Sequence, residues 1–423
     1  MKVLWLSSAN TLCFEKGDRA YNGKGWIASL QNAVTEYAPE IELGVAFLSN
    51  EDSEAILRDG ITYYKILRKS PKGLRKLRSN WTGGAAEEYG DRVKEIVGDF
   101  RPDIVQVFGC ETKLAPAAAQ ISGIPVVAHI QGILSEYVGS FFPKDTGKAD
   151  MVTRRTFFNE IILNNGFRHL FDDYVLRSAK EREFLRSLKY AMGRTDWDRE
   201  AVSRYSGAEY FHVDEALRDD FTAAAGRWTP GERSAEGVRI ASTISPVPYK
   251  GVDVILKASA ALSSMGVRHI WNVAGISAGS DIVEIYEKKT GLNAERCGVR
   301  FCGVMEPDAL AAMLLESDVY VHPAYIENSP NSVCEAQMLG MPVVAAASGG
   351  VPSLIRDGDT GVLVPVGDHE STARSIATLA AEPQKAAALG RNAAAAAAAR
   401  HDPKKIASEL TAVYRRILSD HLK

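Results

Sequence analysis

Two short apolar runs, Asp318-Val319-Tyr320-Val321 and Met341-Pro342-Val343-Val344-Ala345, bracket a polar loop and a helical stretch. Runs of this length between turn residues read as buried strands. Ser329, Pro330 and Asn331 open the helix between them, and Gly340 closes it. The whole is a strand–loop–helix–strand unit, the building block of a parallel sheet. Its loop delivers the chain to a helix N-terminus, where unpaired N–H groups and the dipole favour an anion. Two carboxylates frame that site, Glu327 in the loop and Glu335 in the helix. A carboxylate cannot hold phosphate, but it accepts hydrogen bonds from hydroxyls such as those of a sugar or a ribose. A diphosphate with a polyol on each side is a nucleotide-sugar.

The two glutamates resemble the E-x7-E motif of retaining family 4 glycosyltransferases, the group 1 enzymes of bacterial polysaccharide synthesis, which have the GT-B fold. Ser348-Gly349-Gly350-Val351-Pro352 and Asp357-Gly358-Asp359-Thr360-Gly361 extend the likeness downstream. Lys250-Gly251 extends it upstream, in the loop between a strand at 238–243 and a helix. The resemblance implies that Glu327 meets the donor sugar and Glu335 the ribose. It implies that Asn328, Ser329, Asn331 and Ser332 contact sugar and phosphate between them. Lys250 would then neutralise the leaving diphosphate, a natural task for a lysine at a strand-to-helix loop. The family usually carries an Arg a few residues earlier, but none lies between Ile240 and Tyr249. The diphosphate therefore lacks one expected cation. Gly275, Gly303 and Val304 end strands where resembling enzymes line the nucleotide, partly through backbone groups, so the base leaves no side-chain signature. The likeness is specific from Lys250 to Gly361 and loose before Phe221.

The implied architecture is α/β, with two Rossmann-like domains whose parallel sheets face each other across a cleft. A chain of 423 residues is too long for one core. The expected division is an acceptor domain at 1–221, a nucleotide-sugar domain at 222–402, and a terminal helix at 403–423 crossing back to the first domain. The linker falls in the Ala-, Gly-, Pro- and Arg-rich stretch at 221–237. The alanine-rich residues 372–400 read as helices, not disorder. A net charge of −3 gives no general attraction to nucleic acid. Five scattered cysteines show no C-x-x-C pair and no zinc spacing, as in a reduced, cytoplasmic protein. The first residues read as a buried strand rather than a signal peptide, and no apolar run has membrane-spanning length. The basic run at 65–81 includes Lys65, Arg68, Lys69, Lys72, Arg75, Lys76 and Arg78. It is either a solvated face or a patch resting on the anionic inner surface of a membrane.

In the N-terminal half, a strand ending at Ser7 leads through Tyr21-Asn22-Gly23-Lys24-Gly25-Trp26 into a helix. This is not a G-x-G-x-x-G fingerprint. Gly25 either lets the backbone approach the donor or simply turns the chain. Glu111 follows the strand of Ile104 and Phe108, at the carboxyl end where ligands collect. It is a candidate acceptor contact or a helix-start acid. The strand at 125–132 ends in Gln131, where many resembling enzymes place a His near the sugar. His129 lies two residues earlier and shares its strand face. Both are candidate catalytic neighbours, and His129 has a second reading as a core histidine. Residues 133–188 read as mostly helical. Gly193-Arg194-Thr195-Asp196-Trp197-Asp198-Arg199 and Val213-Asp214-Glu215-Ala216-Leu217 resemble a subgroup of the same family. Arg194 is placed toward the donor phosphates. The D-x-D is not read as a metal site, because the donor signals lie beyond Lys250.

The expected reaction moves a sugar from a nucleotide-sugar, UDP- or GDP-linked, to a hydroxyl of a glycan or lipid-linked acceptor. Lys250 and helix N–H groups stabilise the leaving diphosphate, with no cofactor and no obligatory metal. Retention of configuration, inherited from the resemblance, puts the incoming hydroxyl on the leaving-group face, where the phosphate itself can take the proton. Two alternatives are a nucleotide-sugar epimerase of the same fold and a non-catalytic nucleotide-sugar-binding partner. His322, which ends its strand beside the donor loop, reads as structural or as one step removed from the donor.

Overall fold

The computed structural model describes residues 1–9, 25–51, 53–68, 89–231 and 237–422. They form two compact units, each built on a parallel sheet. The first unit comprises 1–138, 170–216 and 401–423, and the second 139–169 and 217–400.

The sheet of the first unit holds β1 (Lys2–Ser7), β2 (Glu42–Ser49), β3 (Ile56–Arg58), β4 (Ile61–Leu67), β5 (Ile104–Phe108), β6 (Val126–His129), β7 (Tyr190–Gly193) and β8 (Glu209–His212). Its order is β3-β4-β2-β1-β5-β6-β7-β8, and only the β3–β4 pair is antiparallel. β5 is buried at every position, as a strand covered by helices on both faces must be. That continuous apolar signal makes the central strands readable. β3, β7 and β8 have three or four residues each, too few to set a period.

The terminal helix Pro403–His421 belongs to this unit. Asp402 caps it by accepting from Lys404 N at 2.9 Å. Its apolar stripe, Ile406, Leu410, Val413, Tyr414 and Ile417, joins the core that contains Trp5, Val45 and Phe108. The Tyr414 hydroxyl accepts from Trp5 Nε1 at 3.0 Å and donates to Gln106 Oε1. A buried polar chain thus ties the helix to two strands.

The sheet of the second unit holds β9 (Val238–Thr243), β10 (His269–Ala274), β11 (Val299–Gly303), β12 (Val319–His322), β13 (Val343–Ala346) and β14 (Val362–Val364). The order is β11-β10-β9-β12-β13-β14, with every pair parallel. The chain steps outward from β9 to β11, then returns to β12 and steps out the other way. Neighbouring β9 and β12 therefore send their loops apart, which opens a crevice at their carboxyl ends.

Three expectations change. Residues 139–169 cluster with the second unit, not the first, and the other boundary falls between Ala216 and Leu217. The stretch at 133–188 is only partly helical. A short helix Leu134–Tyr137 and a π-helical turn Phe158–Ile162 precede the long helix Phe167–Ser187. Glu160 caps that long helix, accepting from the otherwise unpaired N–H groups of Phe167 and Arg168 at 2.6 and 3.0 Å. The supposed linker is also packed down as far as Trp228. Phe221, Ala224 and Trp228 are buried in the second core. Gly226 N and Trp228 N each donate, at 2.9 Å, to the last carbonyls of the helix Asn331–Leu339.

That helix also rests on the alanine-rich helix Pro383–Arg400, whose Ala386, Leu389, Gly390, Ala393 and Ala397 are buried. A Cβ on Gly390 would run into the Gly340 carbonyl. Gly390→Ala should therefore destabilise the protein by about 1–3 kcal/mol through overpacking, against the stabilisation of roughly 1 kcal/mol usual for Gly→Ala within a helix. Urea unfolding measures it, and a gain in stability would refute the close approach.

Candidate functional site

Backbone contacts lock four loops at the carboxyl ends of the second sheet. β9 leads into a 3-10 turn, Pro248–Lys250. Gly251, at φ +81°, lies so close to the Pro323 carbonyl that a Cβ would overlap it. Tyr325 N donates to Tyr249 O at 2.8 Å. Gly275 likewise abuts the Ile244 carbonyl, and Gly349 the Glu327 carbonyl. Gly350 N donates to that same Glu327 oxygen at 2.9 Å. These glycines are required by proximity as much as by their positive φ.

The lock brings Lys250 Nζ into direct contact with the Glu327 carboxylate. Their side chains are only 15% and 13% exposed. Burial pushes the Lys250 ammonium down to about 7, a shift that the touching carboxylate opposes. The ammonium also lies 5.5 Å from the Tyr249 ring. A cation suited to phosphate and an acceptor suited to hydroxyls thus meet at one point.

The helix Asn331–Leu339 begins after Pro330 with no acid in its first turn, so its positive end is uncompensated. Asn328 and Ser329 are buried at its mouth, and Asn331 and Ser332 half-buried. Glu335 lies further along the same helix. It is 2% exposed, and both Nε and Nη2 of Arg218 reach its Oε1 at 2.8 Å. Burial raises its carboxyl to about 7, with Arg218 opposing. Glu335 thus holds Arg218 in this structure. Arg218 escaped the sequence reading because it sits just before the presumed linker, with no spacing that marks a site. Gly275 N donates to Gly303 O at 2.7 Å, and Val304 beyond it is exposed.

The remaining candidates lie in the first unit. Gly25 starts the helix Gly25–Tyr37 at φ +62°, and the loop before it, with Gly23, lies outside the described residues. So does most of the basic run, from Lys69 to Trp81. Of its described members, Lys65 is buried and 3.8 Å from Glu51, and Arg68 donates to Ser8 O at 3.0 Å. His129 is fully buried, stacked on Phe108 and edge-on to Trp26. Burial, then Arg194, holds it neutral with a pKa near about 3. The core reading of His129 thus replaces the sugar-side one. Gln131 is half-buried, and its carbonyl accepts from Arg194 Nη2 at 3.4 Å. Arg194 is itself enclosed, over the Trp26 ring and 3.9 Å from buried Glu215. Its nearest carboxylate is thus Glu215 of the same unit.

The D-x-D is a helix start. Thr195 and Asp198 form a reciprocal capping box on the helix Asp196–Tyr205, a T-x-x-D signal present in the sequence but not read as one. Glu111 is half-buried, and burial, with Glu181 adding and Arg177 opposing, pushes its carboxyl up to about 8. It therefore carries a proton near neutrality.

The Arg218–Glu335 pair has a testable energy. Arg218→Leu strands a buried carboxylate and should cost about 3–5 kcal/mol, while Arg218→Leu combined with Glu335→Leu should recover most of it. Chemical denaturation of the two variants checks this, and a double variant no better than the single would count against a matched pair.

Residues 240–396 match the family described as Glycosyl transferases group 1. The D-inositol 3-phosphate glycosyltransferase of Mycobacterium avium is 35% identical over 179 residues, which are 41% of this chain and 41% of that protein. The match thus spans less than half the length of this curated relative. Sucrose-phosphate synthase of Thermosynechococcus elongatus superposes with a TM-score of 0.72 at 15% identity, over 99% of this chain and 100% of that one. HepE of Anabaena, solved with UDP and glucose, gives 0.61 at 16% identity, over 98% of this chain and 99% of that one. At such identities the likeness is one of fold, and it runs the length of the chain. The protein therefore has the GT-B fold, and its residues 240–396 resemble the group 1 glycosyl transferases.

Proposed function

We propose that the protein is a glycosyltransferase that moves a sugar from a nucleotide-sugar to an acceptor hydroxyl with retention of configuration. The observation that carries this reading is the contact of Lys250 with Glu327 inside the locked loops. Without donor the two groups neutralise each other. With donor, Lys250 turns to the diphosphate and Glu327 to the sugar hydroxyls. The helix Asn331–Leu339 adds its N-terminal N–H groups to the phosphate side. Positive charge from these sources serves a leaving diphosphate without an obligatory metal. On this reading Glu335, through Arg218, keeps that helix in place.

UDP is the first nucleotide to try, since HepE was solved with it. The curated relative is named for an inositol phosphate, whereas the acceptor proposed here is a hydroxyl of a glycan or lipid-linked saccharide. Glu111 is the proposed acceptor contact, Gln131 the proposed neighbour of the transferred sugar, and Gly25 a proposed donor contact. The proposed setting is the cytoplasm, at the inner face of a membrane and in contact with it through residues 65–81. Among the described residues no helix is long and apolar enough to cross one.

Thermal-shift screening against UDP-, GDP-, ADP- and TDP-sugars identifies the donor, because a ligand stabilises the fold that holds it. With that donor, Lys250→Ala should weaken nucleotide affinity by about tenfold or more. Glu327→Gln should leave nucleotide affinity nearly intact and lower turnover by about 10²–10³-fold. Full turnover in a Lys250→Ala, Glu327→Ala double variant would eliminate the proposal.

A further inference from the structure

His322 is the last residue of β12 and is 1% exposed. Neither of its ring nitrogens meets a hydrogen-bond partner among the described residues. A buried polar group left in that state costs stability that an apolar side chain of similar size would not, so it calls for an explanation. Its place supplies one. Pro323, the next residue, is the one whose carbonyl abuts Gly251, so the Lys250 turn lies against the end of β12. The Lys250 ammonium is close enough to reinforce burial in pushing the ring down to about 3. The imidazole is therefore neutral at physiological pH, with one N–H and one lone pair to offer.

We infer that His322 is a positioning residue for Lys250: when donor draws Lys250 away from Glu327, a ring nitrogen of His322 accepts from the ammonium and keeps it aimed at the diphosphate. This rests on the reading of Lys250 as the phosphate cation. An ammonium has three N–H donors. In the donor-free protein Glu327 takes the contact. Once Glu327 serves the sugar, the Tyr249 ring and His322 remain beside Lys250 among the described residues. A neutral acceptor is what such a position needs. A second carboxylate would hold the ammonium back from the phosphate, and an imidazolium would repel it. Among the described residues, Glu327 touches Lys250, the Tyr249 ring lies 5.5 Å from its ammonium, and the His322 ring is near enough to feel its charge.

Calorimetric titration with UDP, GDP and ADP in turn, from pH 6 to 9, tests this on the full chain, comparing wild type, His322→Leu and His322→Gln. Wild-type affinity should fall as pH rises, because the ammonium is lost. His322→Leu should show that fall at lower pH, with Kd about tenfold weaker at pH 8, the loss expected for a hydrogen bond to a charged group. Its Tm should equal or exceed that of wild type, since an unpaired buried polar group has gone. His322→Gln, which retains a neutral acceptor, should stay near wild type. If His322→Leu does not fold, His322→Met takes its place as the more adaptable filler. A folded apolar variant with wild-type Kd at every pH would overturn the inference. So would His322→Gln losing as much as the apolar variant. Binding of none of the three nucleotides by wild type would instead sink the donor reading, and this inference with it.

Discussion

A largely buried lysine touching a largely buried glutamate is an expensive arrangement unless something holds the two together. Desolvation of each ion offsets most of their attraction, so such a pair is a poor reason for a fold to be stable. Here the cause is the backbone. Gly251 against Pro323, Gly275 against Ile244 and Gly349 against Glu327 fix the loops before any side chain is placed. The pair is then a consequence of where β9 and β12 end. A ligand that offers a phosphate to one and hydroxyls to the other replaces the contact without leaving either unpaired.

The helix that follows Glu327 is fixed just as firmly. Its last carbonyls accept from Gly226 and Trp228, its middle is tied by Glu335 to Arg218, and Gly340 after it is packed against Gly390. A helix dipole directs charge only as well as its axis is held. The packed segment at 217–228 is therefore part of the site's support. Composition hid this, because Ala, Gly and Pro mark flexible linkers and close packing alike.

What was legible in the sequence follows from the same physics. Parallel strands buried on both faces read as apolar runs, so β1, β5, β9 and β12 could be found, and the loops after them drew attention to Lys250 and Glu327. Depth could not be read. His129 shares a strand face with Gln131, yet Trp26 and Phe108 close over it. Pairing across the chain was equally hidden. Arg218 lies 117 positions from Glu335, and no local period connects them. The T-x-x-D at Thr195 was legible in principle, but the acidic pair suggested a metal and drew attention from the cap.

The charge balance of the site decides how it must work. Lys250 with Glu327, and Arg218 with Glu335, are each neutral together. A diphosphate adds negative charge that, among the described residues of the second unit, the Lys250 ammonium and one helix terminus are placed to answer, since the second cation usual before Lys250 is missing. Arg194 is enclosed beside Glu215 and Trp26 in the first unit. With fewer charges to apply, direction matters more. An ammonium held at the right angle by a neutral neighbour does more for a developing phosphate charge than a freer one, because it needs no reorganisation as the charge appears. A buried histidine without a partner beside a lone lysine is what that economy of charge would require.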